Sequence, residues 1–348
     1  MKKLNLFLSA AFIMAASAMF AQTTWTDANP FFTSSTDQWA NEVSIIQAPA
    51  MSDCADCSVD QITTYTYSSA IGENLSMVNQ TGEQNNGNAY QTGATNYSKI
   101  VQDGADSYLG VGAVSPIGGA LNDAQVYQQG NRNYSDVGQH GDNNDSDVIQ
   151  IGNDNYGEQK NIGAGWAESN VTYLRQEGNG NASVQTQWLD GNIAKVEQLS
   201  SNNRAIQTQT STDTHTAGTG NTASIMQYGG DENKAQQTQT GTHNQAFAEQ
   251  NGMGNESVST QTGSGTNFSY VSQYAFTLQV GENNLACVDQ KTGVTSYNLS
   301  AIYQFGNDNK AGVTQDTNAI GNGNFSYITQ LGNANNACVT QFNGLSGL

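Results

Sequence analysis

The side chains of this chain best suited to chemistry are four cysteines and three histidines. Cys54 and Cys57 stand in a Cys-Ala-Asp-Cys step, a spacing that serves a redox pair or half of a zinc site. No histidine or further cysteine stands near them, so a local Cys54–Cys57 disulfide is the favoured reading. His140, His215 and His243 fall in turns or an insertion, without a Ser or Cys partner at a fixed spacing. The acidic turn Gly141–Asp145 offers oxygen ligands, but the G-G-x-G-x-D nonapeptide of calcium-binding coils is absent, which makes it a solvated turn. No catalytic residue, metal site or cofactor is predicted.

These residues sit on a repeat that organises the chain. Gln304–Gln315, QFGNDNKAGVTQ, follows the rule Q-x-G-x-x-N-x-A-x-V-x-Q, and its last Gln opens the next copy. The spacing returns at Gln91–Gln102, Gln128–Gln139, Gln139–Gln150 and Gln330–Gln341. The piece N-x-A-x-V-x-Q has period two, which places Asn, Ala, Val and Gln on one face of a strand. The piece x-G-x-x reads as a turn, because Gly takes positive φ without steric cost. The predicted fold is therefore all-β: a two-sheet parallel β-solenoid of about 11 strand-turn-strand coils, counted as 22 strands starting at Asn74. One of these is a degenerate copy at Ser107, and another starts at Asn267. Val78, Ile100, Val137, Val148, Val196, Ile225, Val313 and Val339 are expected to form the core. Counted this way, most of the longer connections follow even-numbered strands and so gather at one edge.

Composition and charge narrow the function. Charged residues are only 12% of the chain and the apolar share is 36%, so the core must be thin. Backbone ladders and stacked Asn and Gln amides have to supplement it. The net charge of −19, which becomes −21 without Lys2 and Lys3, excludes a nucleic-acid-binding stripe. Residues 1–21 read as a secretory signal peptide, with Lys2 and Lys3 before the apolar run Leu4–Met14. No other stretch is long and apolar enough to span a membrane. Residues 22–72 do not fit the repeat and read as a targeting or capping segment or a linker. Residues 73–341 are the repeat array, and 342–348 a tail after which no cap is expected. An uncapped solenoid end is a template for another copy.

The rule closely resembles the curlin repeat, S-x5-Q-x-G-x-x-N-x-A-x3-Q, of curli fibre subunits, over about residues 74–341. Here Asn, except at Ser107, opens both strands of the coil where the family opens the first with Ser. The resemblance implies an extracellular functional amyloid of the biofilm matrix, cross-β in its assembly. It implies export through an outer-membrane curli secretion channel and polymerisation on a nucleator subunit. It also implies stacking ladders formed by Gln80, Gln91, Asn96, Gln102, Gln128, Asn133, Gln139, Asn144, Gln150, Asn309, Gln315, Asn335 and Gln341.

Three function classes follow. A self-assembling fibre subunit is the leading one; a monomeric secreted adhesin or a fibre nucleator is the alternative. An enzyme on a β-helix comes last, since only nine Lys or Arg remain beyond the leader. The outward aromatics Tyr97, Tyr134, Tyr156, Phe268 and Phe325 read as a cross-strand stripe. Cys287 and Cys338 should project from one sheet face two rungs apart, about 10 Å, too far for a bond between them. Three fates stay open for them: free thiols, a link to another copy, or a link to the segment containing Cys54 and Cys57.

Overall fold

The computed structural model describes residues 74–81, 85–103, 122–162, 169–211, 220–264, 273–292, 297–317 and 323–343. These lie within the unit Phe32–Leu348. They form 21 strands and no helix.

One sheet holds the odd strands in order: β1 (Leu75–Thr81), β3 (Tyr97–Asp103), β5 (Tyr134–His140), β7 (Tyr156–Ile162), β9 (Ala182–Trp188) and β11 (Arg204–Thr210). It continues with β13 (Lys234–Thr242), β15 (Glu256–Ser264), β17 (Leu285–Thr292), β19 (Lys310–Thr317) and β21 (Asn336–Asn343). The other holds β2 (Asn86–Thr92), β4 (Asp123–Gln129), β6 (Asp145–Ile151), β8 (Val171–Glu177) and β10 (Ile193–Gln198). It ends with β12 (Thr222–Tyr228), β14 (Asn244–Asn251), β16 (Gln273–Val280), β18 (Tyr297–Phe305) and β20 (Gly323–Leu331). Each strand pairs in parallel with the strand two places on, as a coil of two strands requires. The all-β, parallel, two-sheet solenoid read from the repeat is the fold.

Two copies in the sequence count need correction. Asn86 pairs directly with Asp123, so the even sheet has no place for a strand at Ser107 between β2 and β4. Ser107 itself lies outside the described residues. Its copy lacks the motif Asn, so it has nothing to add to the Asn column; the described strands number 21 instead of 22. The copy expected at Asn267, also outside the described residues, is replaced by β16, in which Gln273 occupies the Asn column between Asn244 and Asn298. The deciding signal is Gln279-Val-Gly281, which supplies the Gln and the turn Gly at the motif spacing. No such glycine follows Gln273.

With the numbering corrected, the edges separate cleanly. Every connection longer than five residues follows an odd strand, namely β3, β7, β11 and β15. The sequence count had put most of them after even strands because the Ser107 copy shifted its parity. These long connections recur every second coil, which spaces them about 9.6 Å apart along the stack. That is about the thickness of one packed layer of chain. The opposite edge carries only short turns. At the third turn position the backbone is left-handed at Thr95, Arg132, Asp154, Asn202, Glu232, Asn283, Asp308 and Ala334.

Between the sheets, Ile100, Val137, Val148, Leu174, Val196 and Ile225 form one fully buried apolar row, and Val288, Ile302, Val313 and Ile328 another. Small inward residues such as Ala124, Ala205 and Ala311 let the sheets approach. Val78 also points inward, yet it is 42% exposed because β1 is the first rung of its sheet.

Candidate functional site

The inward amides are joined into ladders along the stack, unbroken in the even sheet and interrupted at Asn161 of β7 in the odd one. In the even sheet Gln91 donates to Gln128 at 2.7 Å, Gln128 to Gln150 at 2.7 Å and Gln150 to Gln176 at 2.8 Å. The row continues to Gln330, where Gln304 donates at 2.8 Å. Each of these amides uses its second N–H to cross to the other sheet: Gln128 donates to the Tyr97 carbonyl and Gln150 to the Tyr134 carbonyl, both at 2.9 Å. One side chain therefore stitches successive rungs and clamps facing sheets. In the odd sheet Gln102 donates to Gln139, and Gln187 opens a run that ends with Gln315 donating to Gln341 at 2.8 Å. Gln80 pairs in register with Gln102, its own side chain being outside the described residues.

The motif Asn residues work at both edges, each in the turn that leads into its strand. The Asn133 side-chain amide donates to Asn96 Oδ1 at 3.2 Å and to the Gly152 carbonyl at 2.8 Å. Its backbone N–H also reaches Asn96 Oδ1, at 3.0 Å. Asn309 and Asn335 repeat the pattern, and Asn144 donates to Asn122 Oδ1 in the other sheet at 3.1 Å. A second polar ladder runs outside the turns, where the backbone N–H groups of Asn131 and Asn153 donate to the side-chain oxygens of Asn153 and Asn179.

A third ladder was missed in the sequence. From β7 to β13 the aliphatic core position is Gln159, Gln185, Gln207 and Gln237, each donating to the next at 2.9, 3.0 and 3.0 Å. Their amides cross to carbonyls of Asp147, Tyr173, Lys195 and Ser224, so no buried N–H is stranded. The Gln-Thr-Gln spacing at 185–187, 207–209 and 237–239 was the available signal, since residues two apart share a strand face.

The residues considered for chemistry are dispersed. His140 ends β5, and His243 takes a left-handed turn with φ 59°, where burial lowers its pKa. His215, Cys54, Cys57 and Phe268 lie outside the described residues. Asn144 of the acidic turn is buried in the Asn ladder. Among the described residues no three His, Cys, Asp or Glu converge as metal ligands do, and no helix is long and apolar enough to cross a membrane.

Tyr97, Tyr134 and Tyr156 stack with ring centroids 4.9 and 5.0 Å apart, while Phe325 is exposed on β20. Burial, then neighbouring Asp136, pushes the Tyr134 phenol well above its ordinary range; burial and Glu158 do the same to Tyr156. Burial also raises the Asp136 carboxyl, although Lys99 at 3.3 Å pulls it back. Cys287 and Cys338 face outward on the odd sheet with Gly312 between them in register, and both are disulfide-bonded.

Fold and ladders define an amide-laddered parallel β-solenoid. The model of the curlin associated repeat matches residues 119–156 and 274–316, which span β4–β6 and most of β16–β19. These two stretches of the chain match the curlin associated repeat. No curated protein matches it.

Proposed function

We propose that this protein is a structural subunit of an extracellular, curli-like amyloid fibre of the biofilm matrix, and that it assembles by stacking solenoid ends. The observation that carries this reading is the contrast between β21 and the rungs inside. Val148 and Gln150 are enclosed, whereas Val339 and Gln341, at the matching inward positions of β21, are only half-buried. The motif amide of Asn335 bonds back to the Leu331 carbonyl of its own turn, where Asn309 one rung earlier also donates to the Gly332 carbonyl of the rung that follows. The rung that terminates the odd sheet thus presents the same amide and ladder pattern that binds every internal rung to its neighbour. A second copy can satisfy it without new chemistry.

The reading includes secretion, a role in adhesion, export through an outer-membrane curli channel and growth from a nucleator subunit, and it assigns no catalytic role. The alternative, a monomeric adhesin or the nucleator itself, is favoured by the exposed Phe325 and Tyr327 on β20. Purified mature chain followed by thioflavin fluorescence and negative-stain microscopy tests the choice. The fibre reading expects fresh, largely unstructured chain to become β-rich fibres after a lag. A stable folded monomer that forms no fibres supports the adhesin.

A further inference from the structure

The described strands are odd in number, 11 in one sheet and 10 in the other. The coil starts on the odd sheet with β1 and stops on the same sheet with β21, half a coil short of closing. Each strand rises about 2.4 Å above the one before it, half the rung spacing, so the two sheets do not end level. If a second copy stacked in the same orientation, its β1 would rest on β21 and its β2 would lie about 9.6 Å above β20. That is two rungs, too far for a backbone hydrogen bond. One strand position of the even sheet would stand open at every junction, with unpaired backbone groups on both sides of it.

A half-turn about the fibre axis closes that opening. The two sheets of such a coil run in opposite directions, so the half-turn sets an odd strand parallel to the even sheet. Building on the fibre reading above, we infer that successive copies are related by a half-turn and a rise of about 50 Å, the height of 21 strands. β1 of the arriving copy then continues the even sheet on β20, and its β2 continues the odd sheet on β21.

The inward positions match across this junction. Asn74, Ser76 and Val78 lie over Asn324, Ser326 and Ile328, while Ala89 and Gln91 lie over Val339 and Gln341. Gln341 meets the Gln91 side-chain oxygen as its acceptor, as Gln315 meets that of Gln341 at 2.8 Å inside the chain.

The outward positions separate the two arrangements. With the half-turn, Leu75 and Met77 cover Phe325 and Tyr327, which are 57% and 42% exposed, and Asn86 lies over Asn336. Without it, Leu75 meets Asn336, and Phe325 and Tyr327 border the open strand position. The half-turn therefore buries apolar surface that the other stacking leaves in water. It also moves the long connections, which one chain gathers at a single edge, to alternate edges of the fibre. The full repeat becomes two copies, about 100 Å.

Cryo-electron microscopy of fibres of the full mature chain should show the half-turn, with a rise of about 50 Å. A plain repeat of about 53 Å, 11 whole rungs with every copy in one orientation, overturns the inference and leaves the fibre reading intact. A chain that forms no fibres removes that reading and this inference together. Cross-linking gives a second readout, because stacked positions about 4.8 Å apart lie within the Cα range of a disulfide. Fibres mixed from Leu75→Cys and Phe325→Cys chains should yield linked 75–325 peptides after oxidation. Their yield should exceed at least tenfold that of 75–336 peptides in fibres mixed from Leu75→Cys and Asn336→Cys chains. Equal yields, or an excess of 75–336, contradict the half-turn. Peptide mapping reads the linked positions themselves, so bonds of the native cysteines do not enter the count.

Discussion

The internal rungs and the last rung of the odd sheet are built from the same motif, and they differ only in having neighbours on two sides or one. Gly152 and Gly332 occupy the same turn position with φ of 122° and 97°. A Cβ at Gly152 would stand 1.9 Å from the Gly178 carbonyl oxygen of the next rung, whereas at Gly332 the nearest atom, Asn335 Nδ2, is 3.8 Å away. Stacking, and not the turn itself, is what makes the glycine indispensable inside. The motif thus has two layers of constraint: one local, and one that appears only when another rung arrives.

The largest difference is expected from that pair. Gly152→Ala should cost about 2–6 kcal/mol, from backbone strain plus the clash, and lower the denaturant midpoint of folded material accordingly. Gly332→Ala should cost only the strain, about 1–3 kcal/mol, yet slow fibre elongation, because an arriving copy would meet the added methyl. Equal losses at the two sites would break the comparison.

The ladder glutamines come next. Gln150→Ala removes the donor to Tyr134 and Gln176 and the acceptor for Gln128, and should cost about 2–5 kcal/mol by leaving buried groups unpaired. Gln341→Ala loses its bond to the exposed Phe325 carbonyl and leaves Gln315 to solvent, so equilibrium unfolding should show about 1 kcal/mol or less.

A pH titration sharpens the same contrast. Burial raises the phenols of Tyr303, to about 12, and of Tyr134 and Tyr156. The folded state therefore favours the protonated phenol, and its contribution to stability is complete below the unfolded pKa of about 10. It is lost as pH rises from there through 12 and beyond. Absorbance at 295 nm should show these phenols ionising together with loss of β-structure; ordinary titration near 10 in an intact fold would contradict the burial.

The smallest effect is expected at Ser135, fully buried with a hydroxyl that has no partner. Ser135→Ala should be neutral or stabilising by up to about 1 kcal/mol in denaturant unfolding, since Ala fills the same position in β11, β13, β17 and β19.

Most of the fold was legible because period-two spacing and the Q-x-G turn are local signals that every good copy repeats. What failed was the frame where copies are poor. At β16, Asn267 offered a plausible start, and only the Gln279–Gly281 spacing, tied to the ladder of Gln250 and Gln304, settles the register. The Ser107 copy could be rejected only once Asn86 was seen beside Asp123, a contact 37 residues apart. The inner ladder from Gln159 to Gln237 was not legible because a buried Gln at an aliphatic position is favourable only when an adjacent rung also carries a Gln to bond with. That condition links β7, β9, β11 and β13 and lies beyond any single repeat.

Seeded elongation tests the central claim, that the last rung is a template of the same kind as the internal ones. Sheared fibres should abolish the lag of fresh wild-type chain, and an Asn335→Asp/Gln341→Glu variant should elongate at least tenfold more slowly on the same seeds while retaining the solenoid's protected amides in hydrogen exchange. A wild-type chain that stays folded, monomeric and indifferent to seeds, or a variant that elongates at the wild-type rate, would contradict it.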